Sequence, residues 1–145
     1  MRAPRFESGS VMDDLGWMLL YTKPRAEAWA EMNLRKQGFA TLLPRVKQRI
    51  GFGPLFPRYL FVGARDEQRV EPLRSTLGVL YVVHAGDRPA RVPQSVIDEV
   101  RSRMDAYGVV TIDPSPAADT LFAKQQRERV RTLLKLAQAG FRVVA

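Results

Sequence analysis

The feature that most constrains this chain is the run Gly16-Trp17-Met18-Leu19-Leu20-Tyr21-Thr22, which Lys23-Pro24 stops at once. A run so short and so dense in apolar and aromatic side chains predicts a strand. Pro24 then suits the first turn of a helix. Residues 25–37 are rich in strong helix formers and end at Gly38, a fitting residue for a helix C-terminus. Ala26, Ala30 and Leu34 recur at i, i+4 and i+8, so the helix carries a narrow stripe of small residues and can lie close on a sheet.

Two further strands are expected over 40–50 and 55–64. They flank Gly51-Phe52-Gly53-Pro54, which reads as the turn of a long hairpin. Pro44 and Pro57 predict that these strands bulge or pair at an edge. Residues 67–76 suggest a short helix interrupted by Pro72, and 78–85 a β-branched and aromatic strand. After a turn at 86–89, Val96, Ile97, Val100 and Met104 mark one face of a helix over 92–108 that Gly108 can end. The body, residues 16–112, thus reads β-α-β-β-α-β-α, an α+β sandwich built on a mostly antiparallel sheet.

Outside the body, residues 1–15 read as a flexible leader without the apolar stretch of a signal peptide. Residues 113–118 form a Pro-rich linker. The tail, 119–145, carries two patterns. As a helix, Phe122, Val130, Leu133, Leu136 and Ala137 share a broad apolar arc that Asp119 could cap. As a strand, Val130, Thr132, Leu134 and Leu136 alternate with their neighbours. Its Ala, Gln, Leu, Lys and Arg content favours helix, with Gly140 as the stop and an extended terminal piece after it.

At 145 residues the chain is expected to make one domain, or one domain with a small appendage. The absence of cysteine excludes disulfides, thiolate catalysis and zinc knuckles. No run reaches the roughly 20 apolar residues of a membrane span, so no membrane partner is expected and a cytoplasmic location is. Catalysis is not expected either. The lone histidine, His84, closes an apolar strand, and no nucleophile elbow, metalloprotease or phosphate-loop motif occurs. The Asp66-Glu67 and Asp98-Glu99 pairs suit helix starts better than metal binding, and no cofactor or metal is expected.

The cations are more informative. Lys and Arg number 23 against 15 Asp and Glu, a net charge of +8 that favours polyanionic partners. Between Glu31 and Asp66 there is no acid, while Arg35, Lys36, Arg45, Lys47, Arg49, Arg58 and Arg65 all occur. The hairpin tip and the adjoining helix end should therefore be strongly positive and hold phosphates without reading bases. On the first helix, Trp29, Asn33, Lys36 and Gln37 share a face beside the alanine stripe. Trp29 there suits either stacking on a single-stranded base or the edge of the core. Trp17, Leu19, Tyr21, Phe56, Tyr59, Phe61, Ile97, Val100 and Met104 exceed what one small sheet face needs, so a partner or the tail should cover part of them.

Three segments, WMLLYTKPRAEAWAEMNLRKQGFATLLP, PLFPRYLFV and STLGVLYVVHAGDRPARVPQSVI, resemble the N-terminal domain of the NusG family of transcription elongation factors, and most closely its RfaH-like branch. The likeness covers residues 16–112 and implies the N-terminal-domain fold of that family: a mostly antiparallel four-stranded sheet flanked by helices. It implies a regulator of elongation and antitermination that binds the clamp helices of the RNA polymerase β′ subunit, contacts the non-template DNA strand and suppresses pausing. Transferred to this chain, the polymerase patch is Leu19, Tyr21, Phe56, Tyr59, Phe61, Ile97 and Val100. The DNA-facing group is Lys23, Asn33, Lys36, Gln37 and Arg74, with Trp29 beside them.

The chain departs from the family twice. Val70-Glu71-Pro72 stands where the RfaH-like branch has a His-Thr-Thr run that touches the far side of the polymerase cleft. The tail also resembles only the last part of the family's KOW barrel, and between Pro116 and Leu121 there is no room for the opening strands. Contacts with the ribosome or a termination factor made through that barrel therefore do not carry over. A helical tail lying on the Phe56–Tyr59 and Ile97–Val100 surface would mask the polymerase patch, with a swapped dimer as the rival arrangement. Two other functional readings stay open: a free-standing single-stranded RNA-binding module, and a truncated competitor of a full-length factor.

Overall fold

The computed structural model describes residues 15–65, 67–112 and 120–144. Strand β1, Gly16–Thr22, spans the whole apolar run that Lys23-Pro24 stops. Helix α1, Glu27–Lys36, starts after Pro24, because Arg25 takes a positive φ of 58° in the turn between them. The expected long hairpin is two shorter pairings. Pro44 separates β2 (Ala40–Leu42) from β3 (Arg45–Lys47), and Pro57 separates β4 (Phe52–Pro54) from β5 (Tyr59–Ala64). A proline has no N–H for the ladder, and here both end strands instead of bulging them. The turn lies at 48–51, closed by Gln48 N–H donating to Gly51 O at 2.9 Å, with Gly51 at φ 72°.

The principal sheet has the order β2-β5-β1-β6, with β6 at Val79–Val82, and every pairing in it is antiparallel. Trp17 faces Gly63 and Tyr21 faces Tyr59 across β1 and β5. The expected strand 78–85 breaks at Val83 into β6 and β7 (His84–Ala85), which turns back on β8 (Arg88–Pro89). Glu71–Ser75 is a 3₁₀ helix with Pro72 in its first turn, where it does not interrupt the helix. Helix α2, Gln94–Arg103, stops at Met104, short of Gly108, because Met104 bridges to Val110 in the short strand β9, Val109–Val110. Asp98 and Glu99 lie within α2, away from its first turn. Strand β9 runs parallel to β3, so the hairpin and the exit from the body form a second small sheet.

Two cores sit on opposite faces of the principal sheet, since successive residues of β1 point to opposite sides. Met18 and Leu20 pack with Ala30, Leu34, Leu60, Val62 and Leu73 under α1. The small-residue stripe brings α1 so close that a Cβ on Gly78 would lie 3.1 Å from the Ala30 methyl. Trp17 and Leu19 pack with Phe56, Phe61, Ile97 and Val100 on the other face.

That second core is completed by the tail. A 3₁₀ turn, Thr120–Phe122, leads to α3, Gln126–Val144, so the helical alternative holds. The helix continues through Gly140, where an extended end was expected. One helical glycine costs about 1 kcal/mol relative to alanine, too little to stop a helix already held by packing. Leu121, Phe122, Leu133 and Ala137 are buried among Trp17, Phe56, Phe61 and Ile97, with Val130 and Leu136 partly covered. The leader up to residue 14, the linker and the Asp119 cap fall outside the described residues.

Candidate functional site

The residues expected to face DNA collect around the loop 76–78, where α1 meets the edge of the sheet. Asn33 donates from Nδ2 to Leu77 O (3.4 Å) and to Trp29 O (3.0 Å). Gln37 Nε2 donates to Thr76 Oγ1 at 2.8 Å and to Asn33 O at 3.2 Å. Lys23 N–H donates to Gly78 O at 2.9 Å, which fixes the start of that side chain at the same loop. The two amides thus lace α1 to the loop, to which the Lys23 backbone is also bonded. Trp29 is 45% exposed and absent from both cores, so part of its ring is accessible.

Two members sit apart. Arg74, on the 3₁₀ helix, lines a hollow of about 610 Å³ with Leu80, Tyr81 and His84. Lys36 lines a shallow hollow on α1 with Met32 and Arg35. Exposed Leu77 and Leu80 adjoin this region and were missing from the sequence reading. The only hint was that Leu80 and Tyr81 are adjacent in a strand, where alternation cannot bury both.

The polymerase-facing set divides differently. Leu19, Phe56, Phe61, Ile97 and Val100 are buried in the core that the tail completes, while Tyr21 and Tyr59 are half-buried. Tyr21 lies between two aromatic neighbours, 5.0 Å from the Tyr59 ring and stacked 4.8 Å from Tyr81. The Arg58 guanidinium covers Tyr21 at 4.3 Å and donates from Nε to Thr22 O at 3.0 Å. Arg58 itself adopts φ 73°, a strained conformation for a side-chain-bearing residue, and its N–H is held at 2.7 Å by Glu27 Oε2. Glu27 was overlooked and Arg58 was expected only as one of the phosphate-holding cations, because a helical glutamate and a turn arginine carry no spacing signal for this role.

Burial pushes the Tyr59 hydroxyl above the ordinary 10.0, with Tyr81 and Tyr21 adding to the shift and Arg58 opposing it. A raised folded pKa leaves stability intact below pH 10 and removes it as pH climbs above, because the unfolded chain loses the proton first. Alkaline unfolding should therefore be steeper in the native chain than in Tyr59→Phe. A urea-denaturation series between neutral and strongly alkaline pH checks this.

Of the cations in the acid-free stretch, several are engaged. Arg35 pairs with Glu31 at 3.1 Å and donates to Thr41, Arg45 lies over Phe52, and Arg65 pairs with Glu67. Lys47 and Arg49 stand exposed at the hairpin tip beside Ile50, which is 89% exposed. His84 Nδ1 lies 2.8 Å from Val82 O, consistent with a strand-end role. Among the described residues no group of three or more His, Cys, Asp or Glu could hold a metal ion. No described helix is long and apolar enough to cross a membrane.

The tail is fastened by one buried cation. Arg129 is 5% exposed; it donates from Nε to Leu55 O at 2.9 Å and from Nη1 to Ala123 O and Lys124 O at 2.7 and 3.0 Å. Gln138 adds a bond to His84 O at 2.9 Å. Arg129→Met keeps the aliphatic stem but strips three carbonyls of their donor, and should loosen the tail by about 1–3 kcal/mol. Hydrogen exchange of the α3 amides would report it.

These features define an α+β domain with a polar, tryptophan-bearing helix rim and a tail packed over its second core. A family model described as transcription termination factor nusG matches residues 15–101. The chain belongs to the NusG family of transcription factors. A solved structure of NusG from Thermotoga maritima, titled for its domain interaction, is similar at 22% identity and a TM-score of 0.46. The alignment covers 56% of this chain and 52% of that one, so the chain spans about half of that protein's length.

Proposed function

We propose that this chain is a non-enzymatic, cytoplasmic regulator of transcription elongation and antitermination, of the RfaH-like kind, that binds the RNA polymerase clamp helices and touches the non-template DNA strand. Membership in the NusG family carries the reading. The part-exposed indole of Trp29, with Asn33 and Gln37 on the same helix and Lys23 bonded through its backbone to the same loop, supports the DNA contact, since an accessible ring and a nearby cation suit an unpaired base and its phosphate. The half-buried Tyr21–Tyr59 pair supplies the accessible part of the polymerase patch, and the tail covers the remainder. Full engagement therefore needs the tail to move.

The test is binding of the full chain to a reconstituted elongation complex. When only a fraction of molecules is competent, apparent affinity falls by that fraction. Arg129→Met should then bind about tenfold more tightly than the native chain. Trp29→Ala with Lys23→Ala should reduce crosslinking to the non-template strand while polymerase affinity holds. Equal affinity of native and Arg129→Met chains would remove the masking role, and failure of both to bind would remove the polymerase reading.

A further inference from the structure

Where the tail meets the hairpin there is a groove of about 500 Å³, lined by no residue of the α1 rim. Its polar lining comes from both parts of the molecule: Lys47 and Gln48 from the hairpin, Lys124, Gln126 and Arg129 from the tail. No carboxylate is among these lining residues. Lys47 and Lys124 are exposed, and among the described residues neither pairs with an acid. Arg129 is the unusual member. Its carbonyl partners satisfy Nε and Nη1 but bring no negative charge, and burial lowers its pKa with no neighbouring acid opposing the shift. A buried guanidinium without a counter-charge is costly, and an anion entering the groove would relieve it.

We infer that the groove between the hairpin and the tail is an anion site that takes a phosphate group, with Lys47, Lys124 and the inward guanidinium of Arg129 as its charges and Gln48 and Gln126 as hydrogen-bonding walls. A flexible lysine on each side suits a multiply charged tetrahedral anion, which accepts hydrogen bonds from several directions. Because the cations belong to two parts of the chain, an occupant clamps the tail to the body. Binding to the closed form alone stabilises it by mass action.

The full chain is titrated with inorganic pyrophosphate and, separately, with a short oligothymidylate, each at constant ionic strength. Calorimetry gives the affinity, and proteolysis of the tail gives the clamp. Lys47→Gln and Lys124→Gln keep length and polarity at exposed positions, so folding is retained and a thermal melt verifies it. The expected result is saturable binding that each variant weakens by about fivefold or more, with slower tail cleavage in the native chain alone. Pyrophosphate binding without strand binding identifies a free phosphate as the source, whereas strand binding through the same two lysines identifies a nucleic-acid backbone. Absence of millimolar binding by either probe, or binding that both variants retain in full, overturns the site.

Discussion

Phe122→Ala should cost about 3–5 kcal/mol, the largest loss from any single truncation in the tail. Phe122 is fully buried among Trp17, Phe56, Phe61 and Ile97, and Arg103 lies over its ring at 4.0 Å. Truncation removes both the apolar transfer and the packing of a side chain that the sheet cannot collapse to replace. Urea denaturation should show a lower midpoint with the slope little changed. Phe52→Ala, at a ring 52% exposed on the hairpin, should stay within about 0.5 kcal/mol. If Phe122→Ala matched Phe52→Ala, the tail would be an ornament on a core already complete without it.

The second large effect is expected at Gly78. Its φ of 95° is unfavourable for any residue with a Cβ, at about 1–2 kcal/mol. An added methyl would also lie 3.1 Å from the Ala30 Cβ and 3.2 Å from its backbone N and Cα, and overpacking of this kind costs about 1–3 kcal/mol. Gly78→Ala should therefore lose about 2–5 kcal/mol in total. Pairing it with Ala30→Gly separates the terms: the steric part is partly recovered, while the backbone part and about 1 kcal/mol of helix propensity are not. The loop also holds Asn33, Gln37 and the Lys23 backbone, so the same substitution should weaken the non-template strand contact proposed above.

These two sites show what a sequence reading can reach. β1 was legible to the residue, because a short apolar run with a proline behind it has one sensible conformation. The stripe Ala26, Ala30, Leu34 was legible because helical spacing shows directly which side chains meet the sheet. The long hairpin misled because alternation is a local signal, while Pro44 and Pro57 divert the chain into a separate sheet with β9, a two-residue strand with no pattern of its own. The end of α2 was misplaced for a related reason: Met104 leaves the helix to pair with Val110, a tertiary preference invisible at the residue itself.

The candidate site divides along the same line. Trp29 could be placed on a helix face but not in or out of the core, since both readings share one spacing; its 45% exposure puts it outside the buried core. The aromatic set was recognisable as excess, yet only packing shows that Leu19, Phe56, Phe61, Ile97 and Val100 lie under the tail side chains while Tyr21 and Tyr59 stay accessible. Glu27 and Arg58, which set the geometry of that tyrosine pair, act through one backbone N–H and one strained turn.

The parallel pairing of β9 with β3 has a consequence for how the tail exchanges with anything else. It pins Val110 to the body only a short stretch of chain before the tail turn begins at Thr120. A segment tethered so closely meets its seat at an effective concentration in the millimolar range, set by the tether and independent of how much protein is present. A dilute competitor for that seat must outbid a ligand that never diffuses away. The occupancy of the surface beneath the tail is then governed by the competitor's affinity and local supply, and dilution of the chain itself leaves it unchanged.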